Sequence, residues 1–254
     1  MVAGIDIGSR SIEFVLRKDG EIVHCAQLPT TFSPLDQCRK LLAGHSPNIL
    51  VATGYGRGLV KNLELPYPVE AITEIKAHAL GAYALFPGVR TVLDIGGQDT
   101  KAIALNDKGG VVKFEMNDRC AAGTGKFLEH TATVFQMEVD VFGSYALQGA
   151  NPPVINSMCT VFAETEATSL MAQGVAPPDI ALGLHQAVVR RTCTMLKRAG
   201  LVFPLVFSGG VAKNACIRDL LHKEFKEDAT IYIANNPDMC GALGASIWAE
   251  QCNV

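Results

Sequence analysis

Asp94-Ile95-Gly96-Gly97-Gln98-Asp99-Thr100-Lys101 is the stretch on which the reading of this chain turns. The apolar run Thr91-Val92-Leu93 leads into it, and Ala102-Ile103-Ala104-Leu105 leads out. That pattern predicts a strand, a tight glycine turn and a second strand, with a carboxylate at the bend. Two adjacent glycines clear away the side chains that would keep a phosphate from the backbone amides. Asp94 and Asp99 repel phosphate directly, but they can hold Mg2+ and its waters, which neutralise it. On this stretch alone, a metal–phosphate turn stands level with a plain hairpin, in which Gly supplies positive φ and Asp the turn hydrogen bonds.

An echo near the start breaks the tie. Val2-Ala3-Gly4-Ile5 is a buried-type run ending at Asp6-Ile7-Gly8-Ser9. A strand from Ile12 to Leu16, an Asp19-Gly20 hairpin turn and a return strand from Glu21 to Ala26 follow. The later segment repeats the layout: a strand to Leu105, a polar turn over 106–110 and a strand from Val111 to Met116. Strand, D-I-G turn, strand, hairpin and strand occur twice, an internal duplication of architecture more than of identity. Two such halves can grip one nucleotide between them. We therefore expect an α/β protein of two lobes, 1–88 and 89–254, around a nucleotide cleft.

The bulk numbers agree with a folded enzyme-sized chain. Its 254 residues are 48% hydrophobic and 19% charged, enough for one large domain or two modest ones. A net charge of −3 without a basic block argues against nucleic acid or anionic membrane as the main partner. No apolar run reaches bilayer length, and the first residues do not read as a signal peptide, so a cytoplasmic setting is expected.

Eight cysteines are present, Cys25, Cys38, Cys120, Cys159, Cys193, Cys216, Cys240 and Cys252, none in a C-x-x-C pair. A cytosolic setting disfavours structural disulfides, and the default for each is a small buried hydrophobe. Cys193 and Cys216, inside apolar helical patterns, fit that default. Cys120 and Cys159 differ. Cys120 precedes Gly123-Thr124-Gly125, which opens a helix running to about Met137 and reads as an anion site made of backbone amides. Cys159, after Pro152-Pro153, precedes a second helix, Val161 to Ala172. A helix start favours an anionic sulfur. Either cysteine alone is better read as a buried thiol or a simple cap; two in the same setting suggest a shared purpose.

Helices are further expected over 34–43, after the capping residue Thr73 with Ile75, Ala79, Ala82 and Leu85 on one face, over 177–199, and after Ser208-Gly209-Gly210-Val211-Ala212-Lys213-Asn214 to Phe225. In the 177–199 helix, Leu182, Val189, Cys193 and Leu196 form the core face. Strands are expected over 48–52, leading into the glycine loop Thr53-Gly54-Tyr55-Gly56-Arg57, and over 204–207 and 230–234. Gly241-Ala242-Leu243-Gly244-Ala245-Ser246 opens a last helix suited to close packing, expected to return onto the first lobe.

Asp6-Ile7-Gly8-Ser9, Asp94-Ile95-Gly96-Gly97, Ser208-Gly209-Gly210-Val211 and Gly241-Ala242-Leu243-Gly244-Ala245 together resemble the acetate kinase, sugar kinase, actin and chaperone ATPase superfamily. Within it, the Asp94–Asp99 turn, Asn117-Asp118-Arg119-Cys120-Ala121-Ala122-Gly123-Thr124-Gly125 and Ser157-Met158-Cys159-Thr160-Val161-Phe162-Ala163-Glu164 resemble the activators of 2-hydroxyacyl-CoA dehydratases and the ATP-binding subunits of benzoyl-CoA reductases. The resemblance runs from Ile5 to about Ala249. It implies a duplicated actin-like (ribonuclease H-like) fold and a homodimer sharing one [4Fe-4S] cluster, to which each subunit brings Cys120 and Cys159. It also implies ATP hydrolysis that drives a low-potential electron into a partner dehydratase or reductase, with a ferredoxin or flavodoxin as donor. The chemistry agrees: two cysteines per chain fall short of a full thiolate set, and twofold symmetry would complete it.

On that basis Asp6 and Asp94 hold Mg2+ through waters, with Gln98 near the metal or the attacking water. Gly8, Ser9, Arg10, Ser11, Ile12, Gly96, Gly97, Asp99, Gly123, Thr124 and Gly125 surround the phosphates, Asp99 also as a turn-orienting group. Gly209, Gly210 and Lys213 meet the adenosine end. No general base stands out, and positioning with charge neutralisation can suffice. Many members carry a lysine in the first turn where this chain has Glu13 or a neighbour; Arg10 is the nearest cation and the expected substitute. Three other readings compete. A small-molecule kinase of the superfamily would need an aspartate base between the lobes, and an actin-like ATP-gated scaffold would need no iron. An activator of another reductase, such as a double-cubane cluster enzyme, would look the same in sequence.

Overall fold

The structure is a computed structural model and describes residues 1–157, 159–225 and 229–252. Two five-stranded sheets carry the fold. The first contains β1 (Val2–Ile7), β2 (Ser11–Lys18), β3 (Glu21–Pro29), β4 (Leu50–Thr53) and β5 (Val69–Ala71), in the order β3-β2-β1-β4-β5. The second contains β6 (Thr91–Ile95), β7 (Thr100–Leu105), β8 (Val111–Asn117), β9 (Leu205–Ser208) and β10 (Ile231–Tyr232), in the order β10-β9-β6-β7-β8. Read from its hairpin edge, each sheet has the same topology. The central strand pairs antiparallel with its hairpin partner and parallel with a strand that returns after a helix or loop crossover. β1, β4, β6 and β9 are buried along their whole lengths, as expected of strands covered on both faces.

Among the described residues eight α-helices cover the sheets: α1 (Pro34–Leu42), α2 (Glu74–Leu85), α3 (Gly125–Val134), α4 (Val139–Ala146), α5 (Thr160–Ala172), α6 (Pro177–Ala199), α7 (Ala215–Phe225) and α8 (Cys240–Cys252). The larger core packs α3–α7 against the second sheet through Phe127, Phe142, Leu184, Leu196 and Phe207. Leu182 is half-buried against it, and Val189, Cys193 and Leu196 are buried. The other core packs α1 against the first sheet through Ile5, Phe14, Leu41 and Leu50. Thr73 caps α2 by accepting from the Lys76 amide at 3.4 Å. The buried face of α2 is Ala77, His78, Ala79, Gly81 and Ala82, whereas Leu85 is exposed. Its small residues let α8 approach at backbone distance: a β-carbon at Gly81 would strike the Cys240 carbonyl, and one at Gly244 the Ala77 carbonyl. Ala245 and Ala249 of α8 share a core with Val2 and Val51 of the first sheet.

Several expected elements differ in detail. The helix expected to reach Met137 ends at Val134, where Phe135, Gln136 and Met137 fold back onto its last carbonyls and Gln136 takes φ 55°. α4 went unread because Val139-Asp140-Val141-Phe142 has the β-branched look of a strand and spans only two turns. The strand expected over 230–234 pairs only at Ile231 and Tyr232. Cys38, Cys193, Cys216 and Cys240 are buried; Cys25 and Cys252 are exposed, and so are Cys120 and Cys159. Met158, beside Cys159, lies outside the described residues.

Candidate functional site

Both D-I-G turns fold alike. The Gly8 amide donates to Ser11 O at 3.0 Å, and the Gly96 amide to Asp99 O at 3.0 Å. Each turn is backed by a glycine on the parallel neighbour. Gly54 (φ 87°) follows Thr53, the β4 partner of Asp6; Gly209 (φ 83°) follows Ser208, the β9 partner of Asp94. A β-carbon at Gly54 would strike the Asp6 carboxylate, and one at Gly209 the Ile95 carbonyl, so both positions demand glycine in space and in dihedral. The turns approach so closely that a β-carbon at Gly97 would strike Arg10 Cγ, and both line a cleft of about 1160 Å³, ample for a nucleotide.

The cleft receives Asp6, Gly8, Ser9, Arg10 and Ser11 from the first turn, and Asp94, Gly96, Gly97, Gln98 and Asp99 from the second. Gly125, Gly209, Gly210 and Lys213 also line it. Three expected phosphate neighbours do not. Ile12 points into the first core, because alternation along β2 turns it away from the cleft. Gly123 and Thr124 are engaged in their own loop: Gly123 O accepts from Thr100 Oγ1 at 2.7 Å, and Thr124 Oγ1 donates to Ala121 O at 2.7 Å. The start of α3 is not an open anion site either. The Gly125 amide donates to Gly96 O at 2.9 Å and the Lys126 amide to Gly97 O at 2.7 Å, so helix and glycine turn are bonded to each other. Lys213 pairs with Asp238, and Gln27 joins Asp238 (3.3 Å) to Glu13 (2.8 Å). On the other rim Arg10 spans the cleft to Glu129 of α3 at 2.7 Å.

The cleft floor holds charges that sequence reading passed over. Lys101, 2% exposed, lies 3.2 Å from Asp94, 2.7 Å from Asp99 and 2.9 Å from Glu74 of α2. Burial alone would lower its pKa, but the three carboxylates carry it above the ordinary value. His78 of α2 lies between the turns, with Nδ1 3.4 Å from Asp94 and Nε2 3.7 Å from Asp6. Burial lowers its pKa, and its Nδ1 completes no hydrogen bond among the described residues. Burial raises the Asp94 carboxyl, but His78, Lys101 and the Ser208 hydroxyl at 3.0 Å bring it below its ordinary value. Asp6 is 7% exposed, and burial and then Glu13 push it well above the carboxylate range. Glu13 itself is pushed up to about 7 by burial. Thr53 Oγ1, fully buried beside Asp6, also lacks a partner. The signal for Lys101 was present: it stands at the same offset from Asp94 as Glu13 from Asp6, a lone charge opening an apolar strand. His78 was hidden within an otherwise small and apolar helix.

Away from the cleft, Cys159 is the N-cap of α5, and Cys120 lies in the loop before α3. Asn117 Nδ2 donates to Cys120 O at 2.8 Å and Ala122 O at 3.1 Å, fixing that loop to the end of β8. Glu166 accepts from the Asn156 and Ser157 amides (3.1 and 2.8 Å), fixing the loop before Cys159. His130 of α3 and Glu164 of α5 meet at 2.9 Å. Residues 3–249 match the model of the BadF/BadG/BcrA/BcrD ATPase family.

The chain belongs to that ATPase family. It is 42% identical to the activator of lactoyl-CoA dehydratase from Anaerotignum propionicum, over 98% of this chain and 96% of that protein. The crystal structure of component A of the Acidaminococcus fermentans (R)-2-hydroxyglutaryl-CoA dehydratase superposes with a TM-score of 0.90 at 34% identity, covering 99% of this chain and 98% of that one. The activator of the 2-hydroxyisocaproyl-CoA dehydratase from Clostridium difficile, solved with bound ADPNP, gives 0.87 at 34% identity, over 100% and 97%. The duplicated sheets are those of the actin-like ATPase fold. No described helix is long and apolar enough to cross a membrane.

Proposed function

We propose that this chain is the activator of a 2-hydroxyacyl-CoA dehydratase or a related reductase, a homodimeric iron–sulfur ATPase that couples ATP hydrolysis to donation of a low-potential electron. Similarity to named dehydratase activators over nearly the whole chain supports the partner class. ATP would lie in the cleft between lobes 1–88 and 89–254, with Gly8, Ser9, Gly96 and Gly97 about its phosphates and Gly209, Gly210 and Lys213 at the adenosine end.

Mg2+ fits the charge of this cleft. Asp6 is desolvated, with His78 Nε2, at 3.7 Å, its only partner among the described residues, and Glu13, Glu74 and Asp94 act on it with more negative charge than Lys101 offsets. Among the described residues no three Asp, Glu, His or Cys side chains are arranged to ligate a metal directly, and we assign Asp6 and Asp94 to hold the ion through water. A metal supplies neutralisation of the phosphate charge that builds during transfer; Gln98 would orient the attacking water.

Cys120 and Cys159 fit a cluster shared between two copies. Both are exposed soft thiols, each held by a loop that a polar side chain pins. Val161 and Phe162, exposed beside Cys159, give a second copy an apolar rim. A [4Fe-4S] cluster there supplies a one-electron couple, and the surface position suits transfer from a ferredoxin or flavodoxin and on to a partner.

The observation that carries the coupling is the pair of amide bonds from Gly125 and Lys126 to Gly96 O and Gly97 O. A nucleotide that shifts the glycine turn pulls α3, the Cys120 loop before it and, through His130–Glu164, α5. Anaerobic purification with iron, sulfide and electron paramagnetic resonance analysis tests this. About four irons per dimer are expected, lost in Cys120→Ser or Cys159→Ser, with a spectrum that changes on adding ATP. An iron-free monomer from strictly anaerobic preparation overturns the iron–sulfur reading, and a spectrum indifferent to ATP overturns the coupling.

A further inference from the structure

Lys101 belongs to no role assigned so far. It opens β7 and pairs across the ladder with Asp94, just as Glu13 pairs with Asp6 on the first sheet. The duplication thus places opposite charges at one position of two turns with the same backbone. Around the Lys101 ammonium stand three carboxylates from three elements: Asp94 from β6, Asp99 from the turn and Glu74 from α2. Such hard oxygens, Asp94 buried and Glu74 and Asp99 half-buried, are of the kind divalent ions select, although drawn in around the ammonium they are not arranged to ligate a metal directly. The ammonium already fills their centre. Asp94 is committed further, since its Oδ1 accepts from Ser208 and its Oδ2 from Lys101. Among the described residues Asp6 has only His78 Nε2 at 3.7 Å, and the Thr53 hydroxyl beside it is orphaned.

We propose that Lys101 is the resident cation of the second turn, a positioning residue that gathers Glu74, Asp94 and Asp99 and closes them to divalent ions, leaving Asp6 as the principal anchor of the metal that arrives with ATP. The proposal rests on the ATPase reading of the cleft and sharpens it. Lys101 keeps a metal from settling in the floor before nucleotide is present. It also holds Glu74, at the start of α2, against the second sheet, which keeps that helix in register with both turns. Removing the ammonium while keeping the carboxylates converts the trio into a cation site.

The test is a Mn2+ titration of the nucleotide-free dimer, followed by the paramagnetic resonance signal of free Mn2+. Because no nucleotide is added, the outcome is independent of ATPase turnover and of the electron-transfer reading. Lys101→Met is expected to gain a Mn2+ site per chain that binds at least roughly tenfold tighter than any site of the parent protein. Lys101→Met/Glu74→Gln should lose that gain, and Lys101→Arg should keep the parent isotherm. If Lys101→Met does not fold alone, millimolar Mn2+ should restore its cooperative melt while leaving the parent melt unmoved. A Lys101→Met isotherm that matches the parent, or a variant that stays unfolded in Mn2+, overturns the proposal.

Discussion

The Asp6 and Asp94 turns share a backbone and differ in how their charges are met. Both close with the same amide-to-carbonyl bond, and both are backed by a positive-φ glycine pressed against the turn. Asp94 has an ammonium and a hydroxyl; Asp6 has a glutamate across the ladder and a neighbouring threonine hydroxyl without a partner. Their carboxyls are accordingly displaced in opposite directions, Asp94 down and Asp6 up. A duplicated site need not do the same work twice. In the second turn Asp94 is already paired with Lys101 and Ser208, so it meets an arriving ion only through water. The first carries the unmet charge, the condition under which a metal–nucleotide complex gains most by binding.

The largest effect should come from exchanging each aspartate for asparagine. Asp94→Asn leaves Lys101 buried with part of its counter-charge gone, and loss of one partner of such a pair costs about 3–5 kcal/mol. Asp6→Asn replaces a carboxyl whose ionisation burial and Glu13 already oppose, so the nucleotide-free protein should be destabilised far less, while Mg2+-dependent ATP turnover falls on the order of 100-fold. Guanidinium melts and turnover assays read both. Equal destabilisation by the two variants would erase the distinction between the turns.

Much of this site is legible in the sequence because turns and glycines act locally. Asp6-Ile7-Gly8 and Asp94-Ile95-Gly96-Gly97 declare themselves as bends between apolar strands, and Ser208-Gly209-Gly210 as a notch. What sequence could not weigh is which side chains meet across elements. Glu74 and His78 sit on α2, distant in sequence from Asp6 and from Asp94 and Lys101, and meet them only when α2 crosses beneath both turns. Gly123-Thr124-Gly125 misled for a related reason. A glycine loop before a helix offers free amides in isolation, but here the Gly96 and Gly97 carbonyls occupy them. Ile12 was placed with the phosphates by proximity in sequence, whereas strand alternation sends it into the core. Cys120 and Cys159 stand out in the sequence because both precede helix starts, whereas their exposure is visible only in the folded chain.

One buried group from each half shows opposite responses to pH. In the first, Glu13 is raised from 4.5 to about 7, so its contribution to stability is full below 4.5 and lost as pH rises through 7. Behind the second, His185 of α6 is fully buried, with Nδ1 2.8 Å from Ala181 O and Nε2 3.1 Å from Asn214, which lines the cleft. Burial lowers it from 6.5 to about 4. Its contribution is therefore full above 6.5 and lost as pH falls toward 4, because the unfolded chain takes up a proton that the folded chain refuses. His185→Gln should flatten the acid limb of the stability profile by about 3 kcal/mol over that window, with Glu13 acting equally in both proteins. Denaturation midpoints at several pH values give the difference profile, and parallel curves would remove His185 from the account.

The smallest effect concerns a contact at the rim of the first turn. Arg10 occupies in the first turn the place that Gln98 holds in the second, and it reaches Glu129 of α3, to which Lys126 also turns at 3.3 Å. The Arg10 side chain is 56% exposed, so the pair contributes at most about 1 kcal/mol and weakens with salt. A contact that weak is easily exchanged for a phosphate. Glu129→Gln should therefore tighten ATP by roughly two- to fivefold, since the guanidinium no longer has a carboxylate to leave. Arg10→Ala should weaken ATP and slow turnover while barely moving the melt. Isothermal titration at low and high salt separates the cases. Unchanged affinity and turnover in Arg10→Ala would show that Arg10 serves only the cleft rim, and that the first turn meets its phosphate through backbone amides and metal alone.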